Sequence, residues 1–204
     1  TVLIVADSIG IPVTSLVTVL GVVGLAVSLA VQDSLAKLAG GLMVLAAKPF
    51  VVGDFIDAGS VSGTVQEIGL IYTCLSTPDN KKIYLPNNDI ASARITNYSA
   101  QTTRRVDVAV CVSYDDETEK VKRALRQALE SVPGPLEDPA PFIGITGYLD
   151  SSIQYTVRVW VKNVDYWDVY YALMEKVRQS FAKNGVEMTY QHLNVHLIGE
   201  EKGE

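Results

Sequence analysis

No charged residue falls between Asp7 and Asp33, an interval of 25 residues, 8–32. At 1.5 Å per residue a helix of that length crosses a hydrocarbon core about 30 Å thick, so the stretch predicts a transmembrane helix. Its composition says more than its length. Gly21, Gly24 and Ser28 recur at three- and four-residue spacing, as do Val22, Ala26 and Ala30. Two faces of the helix therefore carry small side chains that let neighbouring helices approach closely. A lone anchor has no use for glycine, which costs a helix roughly 1 kcal/mol against alanine. Leu25 and Leu29, four apart and on one face, would form two stacked apolar collars in a ring of identical helices. Such a collar blocks ions by dewetting, without a plug.

Three other readings of an apolar segment compete: a signal peptide, a core helix of a soluble protein, and a dimerising anchor. No basic region precedes the stretch and no small-residue cleavage site is followed by a mature start, which argues against the first. Length argues against the second. Residues 1–10 are apolar but too short to span a bilayer and include Asp7; they read as the end of a missing membrane region, and the pore-type segment as 11–49.

Beyond Gln32, Asp33 and Lys37 stand four apart on a continuing helix, acid before base. Leu35, Leu38, Leu42 and Leu45 then make an apolar stripe, so 34–47 reads as an amphipathic continuation lying near the membrane surface, and Pro49 ends it. Lys37 and Lys48 flank this side of the span and only Asp7 the other, which by the positive-inside rule places the following body in the cytoplasm.

From 50 to 102 the period changes to alternation. Short strands are expected at 54–58, 63–68, 72–76 and 82–86, with a hairpin turn at Pro78-Asp79-Asn80 and a short helix capped by Asn87-Asn88-Asp89. So small a sheet has exposed edges and buries little surface alone, which favours oligomerisation. Residues 103–190 read strand, helix, strand, strand, helix, strand: 105–113, 115–130, 142–148, 153–161 and 165–183, then a strand at 193–198 within a terminal segment, 191–204. That order predicts an α+β ferredoxin-like sandwich.

Catalytic chemistry is not visible. His192 and His196 are the two histidines, and on a strand they lie about 13 Å apart, too far to share a metal. Asp115, Asp116 and Glu117 lack a partnered base and sit at a helix start. Cys74 and Cys111 fall on separate strands without metal spacing, and no phosphate-cradling glycine loop is present. The expectation is no enzyme, no cofactor and no metal.

The order of residues goes further. GVVGLAVSLAVQDSLAKLAGGLMVLAAKPF, then PFxxGDxI, GxVxxIGxxxT and TxDNxxxYxPNxxIxxxxIxN, together resemble the small-conductance mechanosensitive channel family from its pore-lining helix onward, closely over 21–98 and more loosely beyond. The resemblance implies a membrane pore helix, a small Sm-like β domain and a cytoplasmic α+β domain assembled as a ring-shaped homo-oligomer of seven copies. It implies Leu25 and Leu29 as a hydrophobic gate, Gly21, Gly24, Ala26, Ser28 and Ala30 as the interhelical surface, and Gly40 and Gly41 as hinge candidates. It also implies further membrane helices ahead of the pore helix, an inner-membrane location, release of ions and small osmolytes under hypo-osmotic shock, and a final strand that joins its copies in a barrel. Two departures stand out: Asp33 occupies a position where the family often kinks at glycine, and Ser28 replaces a common pore-helix glycine.

Sm-like sheets elsewhere bind RNA. Here the body from residue 50 retains 15 of the 17 Lys and Arg and 21 of the 23 Asp and Glu, so phosphate backbones are repelled on average and no nucleic-acid partner is expected. The expected partners are copies of the chain, the lipid bilayer, and ions and small solutes. The alternatives are a non-conducting membrane-anchored scaffold and a ligand-regulated channel of the same architecture.

Overall fold

The uncharged stretch lies in one helix, α1 (Val13–Ala47), whose 35 residues run without a break. The amphipathic continuation expected at 34–47 is the C-terminal part of that same helix. Its end is local chemistry: Lys48 takes a left-handed φ of 45°, its N–H closes on the Val44 carbonyl at 2.9 Å, and Pro49 has no N–H to continue. The computed structural model describes residues 13–190. The chain forms two compact units, Thr1–Ala100 and Gln101–Glu204. The expectations for 1–10, for His192 and His196, and for the strand at 193–198 lie outside the described residues.

In the first unit, α1 is followed by β1 (Phe55–Asp57), β2 (Ser62–Ile68), β3 (Tyr72–Ser76), β4 (Lys82–Pro86), α2 (Asn87–Ser92) and β5 (Thr96–Asn97). These strands form one antiparallel sheet in the order β4-β3-β2-β1-β5. It is the small Sm-like β domain expected, with β5 added, a strand too short for alternation to show. Ile56, Val65, Leu75 and Ile90 bury its core together with Val44 of α1 and Phe50 of the linker. The linker is tied by one carboxylate. Asp54 accepts from the Val51 N–H at 2.9 Å and from Asn97 Nδ2 at 2.8 Å.

The second unit holds β6 (Thr103–Val112), α3 (Thr118–Glu130), β7 (Phe142–Tyr148), β8 (Ile153–Lys162), a 3-10 turn (Asn163–Asp165) and α4 (Tyr166–Asn184). Its sheet order, β6-β8-β7, is antiparallel throughout and matches the ferredoxin-like arrangement of first, third and second strands. Alternation fixes which face is covered: Val106, Val108, Val110 and Val112 face Val159, Val157, Tyr155 and Ile153 across the ladder, and all are buried. Val121 and Leu125 of α3 and Val169, Leu173, Val177 and Phe181 of α4 complete that core.

Helix α3 begins at Thr118, three residues later than the acidic run suggested, because Asp116 is engaged elsewhere. Its carboxylate accepts from Lys120 Nζ at 3.0 Å and from the Glu187 N–H at 2.8 Å. The chain leaving α4 is thereby pinned to the start of α3. Gly185 closes α4 in the left-handed conformation at φ 64°, as the Asn-Gly pair predicts.

Candidate functional site

The candidate site is α1 and the surface on which it is seated. The most apolar 18-residue window of α1 has none of its residues buried, which is the opposite of a core helix. Leu25 and Leu29 are each 63% exposed. Gly21 and Gly24 have nothing within 4 Å of where a Cβ would stand, and Ala26, Ser28 and Ala30 are exposed with them. Among the described residues, then, nothing covers the leucine pair or the small-residue faces. The hydroxyl of Thr18 is satisfied inside the helix, donating to the Thr14 carbonyl at 2.8 Å. Asp33 and Lys37 pair at 2.8 Å, one turn apart.

Burial starts at the other end. Gly40, Gly41 and Val44 are the buried residues of α1. A Cβ on Gly40 would lie 2.5 Å from the Asn88 Cα, and one on Gly41 would overlap the Leu70 carbonyl oxygen. Both glycines are positions of close backbone approach, where α1 rests on α2 and on the β2–β3 turn. The helix runs through them unbroken.

That turn and α2 are held in place by a buried polar cluster. Asn87 and Thr73 are both 0% exposed. Thr73 Oγ1 donates to Asn87 Oδ1 at 2.7 Å, and Asn87 Nδ2 donates to the Gly69 carbonyl at 2.8 Å. The Asn87 N–H goes to the Ile71 carbonyl at 2.8 Å. The expected role of Asn87 as a helix cap is therefore not what its side chain does: α2 has Pro86 at its N-cap and no side-chain capping bond. Asn87 instead fixes the turn carrying Leu70, directly beneath Gly41, since a Cβ there would also come within 3.0 Å of Asn87 Nδ2. Neither Asn87 nor Thr73 was identifiable from sequence as part of the seat. Their types signal polar chemistry, but their burial is a tertiary fact.

Cys74 is buried and Cys111 half-buried, both unpaired. Among the described residues no group of three or more His, Cys, Asp or Glu could hold a metal.

Comparisons with known proteins cover both units. Residues 1–32 match the model for mechanosensitive ion channel transmembrane helices 2/3, 33–100 that for the mechanosensitive ion channel beta-domain, and 106–188 that for the MscS C-terminal region. The small-conductance mechanosensitive channel of Edwardsiella ictaluri is 38% identical over 174 residues, 85% of this chain and 61% of that protein. An uncharacterised MscS family protein of Buchnera aphidicola is 36% identical over 189 residues, 93% of this chain and 62% of that protein. The chain thus spans about three fifths of the length of these relatives. The crystal structure of Helicobacter pylori MscS in its closed state superposes with a TM-score of 0.89 at 30% identity, covering 97% of this chain and 79% of that one. A long apolar helix seated on an Sm-like sheet, with a ferredoxin-like unit after it in the sequence, is thus matched along its length, and the chain belongs to the MscS family of mechanosensitive ion channels.

Proposed function

We propose that this chain is the subunit of a homo-oligomeric ring, seven copies in the full-length protein, that conducts ions and small osmolytes when membrane tension rises in hypo-osmotic shock. The observation that carries the reading is the contrast along α1: its first two thirds expose leucines and small residues that nothing among the described residues covers, while Gly40, Gly41 and Val44 are locked into the β domain. A helix with two small-residue faces needs neighbours, and copies of itself supply them. The axis of such a ring is lined by Leu25 and Leu29 as the hydrophobic gate. Gly21, Gly24, Ala26, Ser28 and Ala30 form the surface along which neighbouring helices slide.

Opening is a population shift. The open ring occupies more area in the bilayer, so tension does differential work in its favour and no ligand is required. Gly40 and Gly41 are the flexure in the sense that the free part of α1 tilts about the seat they create. The ring sits in the inner membrane through α1, with the β domain of the first unit and the second unit in the cytoplasm, as the lysines on the C-terminal side of the span favour.

The test is survival. In bacteria lacking their own mechanosensitive channels, the full-length protein is expected to rescue cells from hypo-osmotic shock. Replacing Leu29 with serine, which wets the collar, is expected to slow growth before any shock is applied. Membrane-inserted protein that gives no rescue would contradict the reading.

A further inference from the structure

Helix α1 carries two charged residues, Asp33 and Lys37. Leu25, Leu29 and Asp33 stand four residues apart along it. Four residues of an α-helix turn through about 400°, so each side chain lies about 40° round from the one before and about 6 Å further along the axis. The Asp33 carboxylate therefore follows the leucine pair on nearly the same side of the helix, one turn nearer the β domain.

Asp33 and Lys37 are paired at 2.8 Å, but their surroundings differ. The Asp33 side chain is 78% exposed and that of Lys37 36%. Lys37 stands on the side of α1 that continues into Gly40, Gly41 and Val44, three, four and seven residues on, which is the seated face. There a second carboxylate, Asp89 in the first turn of α2, acts on the same ammonium. One lysine is thus shared by two acids, and the three groups sum to a single negative charge. The acid nearest the leucines is the most open of the pair, and the base is turned toward the seat. An exposed pair at this spacing adds little to the stability of a helix, so stability is a weak reason for charge at the edge of an apolar span.

We propose that Asp33 sets the charge preference of the pore: the carboxylates of all copies form a ring just beyond the Leu29 collar and favour small cations over anions. The inference rests on the pore reading above and adds to it the sign of the ion. The step of about 6 Å from collar to ring is shorter than the Debye length of about 8 Å at physiological ionic strength, so an ion crossing the collar feels the ring only partly screened. Rings of acidic side chains select cations in this way. Each copy adds one such carboxylate, while Lys37, a further turn away and shared with Asp89, offsets only part of the field.

The test is the reversal potential of tension-activated current through the full-length protein in liposomes, measured across a tenfold gradient of potassium chloride. The parent is expected to pass potassium several-fold better than chloride. Asp33→Asn is expected to lower that permeability ratio several-fold and Asp33→Lys to invert it. Asp33→Glu, which keeps the charge, is expected to retain it, and Lys37→Met, which removes the opposing charge, to raise it. A parent that prefers chloride, or currents whose ratio is the same in the parent, Asp33→Asn and Asp33→Lys, would overturn this inference while leaving the pore standing. Parent protein that is inserted and assembled yet silent under tension would overturn the pore and the inference with it.

Discussion

At the scale of single residues, glycine does two different jobs in α1, and the difference is measurable. Gly21 and Gly24 meet nothing among the described residues, so alanine there changes no contact with them. Gly41 lies against the Leu70 carbonyl, and any Cβ must push the helix or the turn away. Gly41→Ala is expected to destabilise the seat by about 2 kcal/mol, in the range of overpacked cores. Thermal unfolding of the full-length protein checks it, with Gly24→Ala as the control expected to leave the seat intact. A second residue-scale expectation concerns pH. Lys81, and then Thr77, hold the Asp79 carboxyl below the usual carboxylate range in the β3–β4 hairpin. Because the folded pKa is depressed, this support is present above the ordinary aspartate value of about 3.9 and is lost as pH falls through the lower folded value. Carboxyl NMR titration should place Asp79 below an unperturbed aspartate, and Lys81→Met should return it upward. The roles of Asn87 and Gly41 were not legible in the sequence. A Pro-Asn-Asn run reads as a turn or cap, and a Gly-Gly pair in a helix reads as a weak point; only the packing of α1 against α2 shows both to be parts of one seat.

At the scale of elements, what was legible followed period. The alternation of β6 and β8 announced both strands and, in β8, the buried face, and the Asn-Gly pair announced the end of α4. The helix–strand order gave the ferredoxin-like unit, because each element there is long enough to show its period. What was not legible was short or set by distant partners. β5 has two residues. The helix was expected to continue past Asp33 and does; its sequence does not show that it runs unbroken through Gly40 and Gly41, where close packing requires glycine. The late start of α3 has the same kind of cause: Asp116 is recruited by Lys120 and by the Glu187 N–H, 71 positions on. Asp116→Ala leaves that N–H without its acceptor and takes the carboxylate partner from Lys120, which keeps the Gly185 carbonyl, at an expected cost of about 1–3 kcal/mol. Hydrogen exchange should show the Glu187 amide losing protection while amides in β8 keep theirs.

At the scale of the whole molecule, the account joins a helix that needs neighbours to a β domain that holds it by one end. The seat is closed within a single chain, while the leucine pair and the small-residue faces are uncovered among the described residues, and the proposed ring would supply their neighbours. That asymmetry is what a tension-gated ring requires: a fixed end, a free length whose neighbours are identical, and a narrow apolar collar. The most direct test is recording of current from the full-length protein in liposomes under graded suction, comparing the parent with Leu29→Ser. The account predicts pressure-activated currents in both, with the serine variant opening at lower suction because its collar wets more readily. Protein shown to be inserted and assembled that stays silent in both forms would contradict it.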